Sequence, residues 1–279
     1  MANDEMRRFW NEAAGPEWVR LEREFDVALG PFGDELLRRA APSPGHHVLD
    51  VGCGFGTTTL ALARAVGSEG RVMGADISAP LLKRARARGA EAGAANIIWR
   101  EADVQDAALP ASHFDLVVSR FGVMFFDDPV AAFGNLLAAA KPGGRLVFLC
   151  WQPPDRNPWF TFPAEVMGPF IAIQPPPPGA GPFSFGDPAR VREVVSGAGW
   201  ADVAVDGFDA DVVQGGGGDA DAVVHHFVRG TVAAALNAAP EPSHTAAVDA
   251  LRAAVSAHMG DGPAAWPARA WMVGARRRT

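Results

Sequence analysis

The sequence predicts an α/β fold, a mostly parallel sheet covered by helices on both faces. Three observations predict it. Between residues 45 and 150, short apolar runs alternate with helix-length tracts. A glycine turn, VLDVGCGFG, joins the first run to the first tract. Asp50 and Asp76 close the first two runs, at the edge where open α/β sheets bind ligands.

Taken in order, residues 4–40 read as two or three helices, with Leu21, Phe25, Ala28 and Leu29 on one face. PSPG at 42–45 ends them, and HHVLDV is the first strand. TTTLALARAVG is a helix stopped by Gly67, and RVMGAD is the second strand. SAPLLKRARARGAEAG opens with a serine cap and a first-turn proline. NIIWRE and FDLVVS are strands three and four; DDPVAAFGNLLAAAKPGG is a helix with a Pro-Gly stop, and GRLVFLC is strand five. Such alternation buries both faces of a parallel sheet. The rhythm breaks at 151–187, where QPPD and PPPPGAGP form loops, and we expect an inserted lid. A helix over DPARVREVVSGAGW, a strand over ADVAVDGFDADVV, a flexible GGGG joint at 215–218, two long helices and a strand in PARAWMVGARR follow. The expected organisation is a helical cap (1–44), a ligand-binding core (45–150), a proline-rich lid (151–187) and a part completing the sheet (188–279).

Composition narrows the function. The net charge is −7, which disfavours a nucleic-acid partner. The basic runs, Lys83 to Arg88 and Arg276 to Arg278, read as a wet helix face and a solvated tail. No stretch of about 18 apolar residues offers a membrane span. MANDEMRRFW lacks the apolar segment of a secretory signal, and Cys53 and Cys150 have no metal-ligand spacing. These features predict a reduced, cytoplasmic protein without disulfides or a metal site.

The glycine turn is the chemical landmark. Its spacing is G-x-G-x-G (Gly52, Gly54, Gly56), whereas a dinucleotide fingerprint wants its third glycine at position 57, which is Thr57. A Walker loop would need GK[ST], which is missing. Asp76 can accept two ribose hydroxyls, and Asp103, in EADVQD, can accept from an adenine amine beside Val104. Dinucleotide readers have no general need of that second acid.

VLDVGCGFG, GADIS, READVQDAALP, FDLVVSRFGVMFFDDP and AKPGGRLVF resemble, in order and spacing, class I S-adenosylmethionine-dependent methyltransferases of the Rossmann-like fold. The likeness is greatest to the small-molecule branch that includes ubiquinone and menaquinone C-methyltransferases. It covers residues 45–150. It implies S-adenosylmethionine as cofactor and an antiparallel last strand from residues 265–277. It implies that Gly52, Cys53, Gly54 and Gly56 bring backbone to the methionyl part, with Asp50 orienting the loop or reaching the amino group. Asp76 and Ile77 would hold ribose and adenine, Asp103 and Val104 the adenine edge, and Ser119, Arg120 and Phe121 the methionyl end.

Methyl transfer needs positioning more than a nucleophile from the protein, and a base only for acceptors that hold their proton. The expected acceptor is a small, partly aromatic or apolar molecule methylated on O, C or N. Trp10, Trp18, Phe125, Trp151 and Trp159 are the candidate substrate contacts. His225 and His226, on a helix that can cover the site, and Arg120 are the candidate catalytic groups. His46, His47 and His113 precede strands and read as structural. A methyltransferase of RNA or protein, a cofactor-binding protein without turnover, and a nicotinamide oxidoreductase are the alternatives. The alanine-rich C-terminal helices suit packing within one chain or across a homodimer.

Overall fold

A computed structural model describes residues 3–174 and 181–279. Eleven α-helices and seven strands are assigned among them. The helices are α1 (Asp4–Arg8), α2 (Ala14–Arg20), α3 (Glu22–Ala40), α4 (Thr57–Val66), α5 (Ala79–Glu91), α6 (Pro129–Ala139), α7 (Pro158–Met167), α8 (Pro188–Gly197), α9 (Ala220–Arg229), α10 (Ala233–Ala238) and α11 (Ser243–Met259). The strands are β1 (His47–Val51), β2 (Arg71–Asp76), β3 (Ile97–Glu101), β4 (Phe114–Arg120), β5 (Ala140–Trp151), β6 (Ala201–Val213) and β7 (Ala265–Arg276).

The strands form one sheet in the order β3-β2-β1-β4-β5-β7-β6. β1 to β5 run parallel, and β7 runs antiparallel to both β5 and β6. The central strands are buried without alternation, as Leu116, Val117 and Val118 illustrate, because helices cover both faces. α3 and α4 pack together over the sheet, and α6 and α8 pack together over β5 and β6. The order reverses at β1/β4, so the loops after these two strands diverge and leave a crevice at their carboxyl ends.

Local chemistry accounts for the helix starts. Ser78 caps α5, Asp128 caps α6 and Asp187 caps α8, each with proline in the first turn. A second apolar cluster lies off the sheet, where Met167, Phe227, Leu251, Val255 and Trp266 join α7, α9 and α11 to β7.

Several expectations need correction. The long helix after residue 219 is two, because the chain turns at Gly230 between α9 and α10. GGGG is a packed turn and not a loose joint: a Cβ on Gly215 would come within 2.7 Å of the Val223 nitrogen. Residues 151–187 contain the helix α7, which carries Pro163 internally, and the PPPPGA tract lies outside the described residues. The KPGG punctuation falls inside β5, where Gly143 turns at φ 76°.

Candidate functional site

The crevice at the β1/β4 reversal is a cavity lined from four directions. The glycine turn supplies Asp50 to Phe55, the β2 end supplies Asp76 and Ile77, the segment after β3 supplies Ala102 to Val104, and the β4 end supplies Arg120 to Gly122. Asn3, Met6, Trp10, Trp18 and Leu29 close it from the N-terminal helices, and Phe125 and Phe126 from the loop after β4.

The glycines act in different ways. Gly52 lies at φ 66°, and a Cβ there would stand 2.6 Å from the Gly122 Cα, so two loops touch backbone to backbone. Gly54 lies at φ 56° and faces open space in the cavity. Gly56, at φ 87°, does not line the cavity; its missing side chain admits Trp99, whose ring also lies over Gly74 and Gly89. The role expected for Gly56 is thus corrected from ligand approach to ring packing.

The acids are buried, Asp76 and Asp103 held by backbone amides and Asp50 by a side-chain hydroxyl. Asp76 accepts from the Gly54 amide and the Ser78 amide, each at 2.8 Å, so one carboxylate ties the glycine turn to the start of α5. Burial raises its pKa, against those two bonds. Asp50 accepts from the Thr59 hydroxyl at 2.6 Å, and burial pushes its pKa up to about 7. Asp103 accepts from the Gln105 amide through Oδ1, while Oδ2 is buried without a hydrogen-bond partner. A buried orphan acceptor is costly unless a ligand donates to it, and an exocyclic amine supplies that donor. The site therefore fits an adenosine-bearing cofactor. Cys53 lines the cavity, and burial raises its thiol pKa well above normal, so it contributes backbone and shape and no thiolate.

Beyond these acids, Val104 lines the cavity while its carbonyl accepts from Asn135. Ser119 does not line it: its hydroxyl bonds the Val51 carbonyl and the Gly122 amide, shaping the turn from behind. Phe121 sits at φ 64° with its ring stacked 3.8 Å from Trp151, which holds the strained backbone. Trp10 packs edge-on against Trp18 and Phe125 at 5.3 Å each, making an aromatic wall. Trp151 and Trp159 stand behind this layer, and no described residue of 151–187 lines the cavity.

The histidines are placed elsewhere. His225 is exposed, because the buried face of α9 runs through Val223, Val224 and Phe227. His226 is buried beside Phe25, outside the cavity lining, and burial lowers its pKa to about 4. Phe25 in turn stacks on Trp18, so His226 lies one ring behind the cavity wall. His225→Ala should leave cofactor affinity and turnover within about twofold of wild type, since exposed substitutions away from special features change little; a large loss of turnover would return it to the site.

Sequence reasoning missed the N-terminal clasp. Asn11 bonds the Ile77 carbonyl at 3.0 Å and the Ala79 amide at 2.9 Å, and Ser78 donates to the Trp10 carbonyl at 2.8 Å. Nothing in the sequence marks Asn11; only its partner loop, just after Asp76, was visible.

Strand order and crevice together define a Rossmann-like fold with a ligand cavity at the β1/β4 reversal. A family model described as a methyltransferase domain matches residues 48–144. That segment is the part of the chain that is similar to methyltransferases. It is 32% identical to a nocamycin O-methyltransferase of Saccharothrix syringae over 62% of this chain and 65% of that protein. It is 36% identical to a ubiquinone/menaquinone biosynthesis C-methyltransferase of Saccharophagus degradans over 40% of this chain and 45% of that protein. The chain thus spans less than two thirds of either relative. A SAM-dependent methyltransferase from Aquifex aeolicus shares the fold, with a TM-score of 0.52 and 19% identity over 72% of this chain and 94% of that one. No helix among the described residues is long and apolar enough to cross a membrane, and no cluster of three or more metal-ligating side chains occurs among them.

Proposed function

We propose that this protein transfers a methyl group from S-adenosylmethionine to a small organic acceptor that is partly aromatic or apolar. One observation carries the reading: a single cavity joins adenosine-reading acids, Asp76 and Asp103, to an aromatic wall of Trp10, Trp18 and Phe125. When bound, the cofactor supplies an electrophilic methyl group on a sulfonium. The chain's residues position and desolvate. Asp76 takes the ribose hydroxyls, Oδ2 of Asp103 takes the adenine amine, and Asp50 faces the methionyl ammonium. The aromatic wall excludes water and holds a flat acceptor beside the sulfonium.

Calorimetric titration with S-adenosylmethionine, S-adenosylhomocysteine and NAD in parallel tests the reading. Binding of the two sulfur ligands with NAD silent supports it, and methyl transfer to acceptors of this class completes it. Binding of NAD alone overturns it.

The buried Asp50 adds a pH signature. Its pKa in the free protein is about 7, above the unfolded value of about 4, so its favourable contribution to folding is complete below pH ~4 and lost as pH rises through ~7. An ammonium ligand favours the ionised form. Binding below pH ~7 must therefore expel a proton, and affinity for S-adenosylhomocysteine should rise with pH up to ~7 and then level off. Asp50→Asn should flatten that slope; an unaltered slope would place the ammonium elsewhere.

A further inference from the structure

The guanidinium of Arg120 is a cation with little to bind. It lines the cavity, and burial lowers its pKa, the mark of a charge removed from water. Its one hydrogen bond among the described residues is a long one, 3.4 Å from Nη1 to the Leu29 carbonyl. An arginine has five donors. No carboxylate lies within ion-pair distance of it among the described residues. Of the acids that attract it, Asp26 accepts from Thr57 and Arg88, Asp50 accepts from Thr59, and Asp34 acts from beyond ion-pair distance. Arg120 also leans toward α3, where Gly33 has no side chain and a Cβ would stand 3.3 Å from Nη1. That is the helical-cap side of the cavity, away from Asp76 and Asp103.

The same cavity is poor in bases. No His, Lys or Glu occurs among its described lining residues, and the chain contains no tyrosine. The Cys53 thiol is held protonated by burial. Asp76 and Asp103 belong to the adenosine half, and Asp50 lies in the glycine turn under the methionyl end.

We propose that the acceptor arrives already ionised, as a carboxylate or a comparably acidic enol, and that Arg120 receives this oxyanion. The inference rests on the methyltransferase reading above. It accounts for both observations, since a forked guanidinium suits a two-oxygen anion and an ionised acceptor needs no base. The acceptor oxygen forms a bond to the methyl carbon as the carbon–sulfur bond breaks, and that electron pair stays on sulfur. The oxyanion's negative charge cancels the sulfonium's positive charge, and no proton moves.

The test is calorimetry on the protein saturated with S-adenosylhomocysteine, using 1-naphthoate and its neutral near-isostere 1-naphthamide. The wild type should bind the acid about tenfold or more tightly than the amide, the range expected for hydrogen bonds to a charged group. Arg120→Met should erase that preference, and Arg120→Lys should restore part of it, while both variants keep affinity for S-adenosylhomocysteine within about threefold. Equal affinities, or no binding of the acid, overturn the inference. So does a tenfold loss of S-adenosylhomocysteine affinity in Arg120→Met, because the cation then grips the cofactor's own carboxylate. If S-adenosylhomocysteine fails to bind the wild type, the methyltransferase reading itself fails, and that outcome is seen before any acid is added.

Discussion

Asp76→Ala should weaken S-adenosylhomocysteine binding by about a hundredfold or more. The carboxylate is 8% exposed, at the end of β2, and already accepts from the amides of Gly54 and Ser78. Its remaining acceptor capacity faces the cavity, where two ribose hydroxyls would meet it. Each hydrogen bond to a charged group is worth about 1.5–3 kcal/mol, and about 1.4 kcal/mol is tenfold in affinity. The loss is compounded because alanine orphans two backbone donors and frees the glycine turn from α5. Calorimetry and thermal melting, read together, separate the two effects. An unchanged dissociation constant would mean that the ribose does not lie at the β2 end.

Gly52→Ala should strike stability as hard as the first variant strikes binding. Its positive φ costs an alanine roughly 1–2 kcal/mol, and an added Cβ would collide with the Gly122 backbone. Overpacking of that kind costs roughly 1–3 kcal/mol more, since neither loop has a flexible side chain to move aside. For a chain of this size each kcal/mol lowers the melting temperature by about 2–4 °C, so a fall on the order of 5–15 °C is expected. Gly54→Ala is the informative partner. It shares the strained φ, yet its Cβ would enter the cavity, so it should lose ligand affinity more than stability. Equal melting temperatures for wild type and Gly52→Ala would show that the two loops separate more easily than their contact implies.

The core was legible in the sequence for a physical reason. Parallel strands buried on both faces read as unbroken apolar runs, and each βα junction carries a cap or glycine that punctuates it. The acids at positions 50, 76 and 103 could be placed because they follow such runs directly. What stayed hidden depends on contacts distant in sequence. Gly56 looked like part of a ligand loop, but the reason for it is Trp99, 43 positions later by subtraction of the residue numbers. Asn11 bonds across 66 residues to the Ile77 carbonyl, and no local pattern announces such a bond. His225 and His226 are adjacent, so sequence alone could not say which faces outward; the apolar spacing of 223, 224 and 227 decides it once α9 is known to end at Arg229. Trp151 and Trp159 were aromatic in the right stretch but are held behind Phe121 by packing.

The aromatic wall also turns the protein into its own optical probe. With eight tryptophans and no tyrosine, its near-ultraviolet emission is essentially pure indole. Trp10 and Trp18 border the cavity, and neighbouring Trp99 lies against the glycine at the head of α4. A molecule entering there changes the polarity and quenching around two of the eight fluorophores at once. Occupancy can therefore be followed by light in unlabelled protein, through the same rings that shape the pocket.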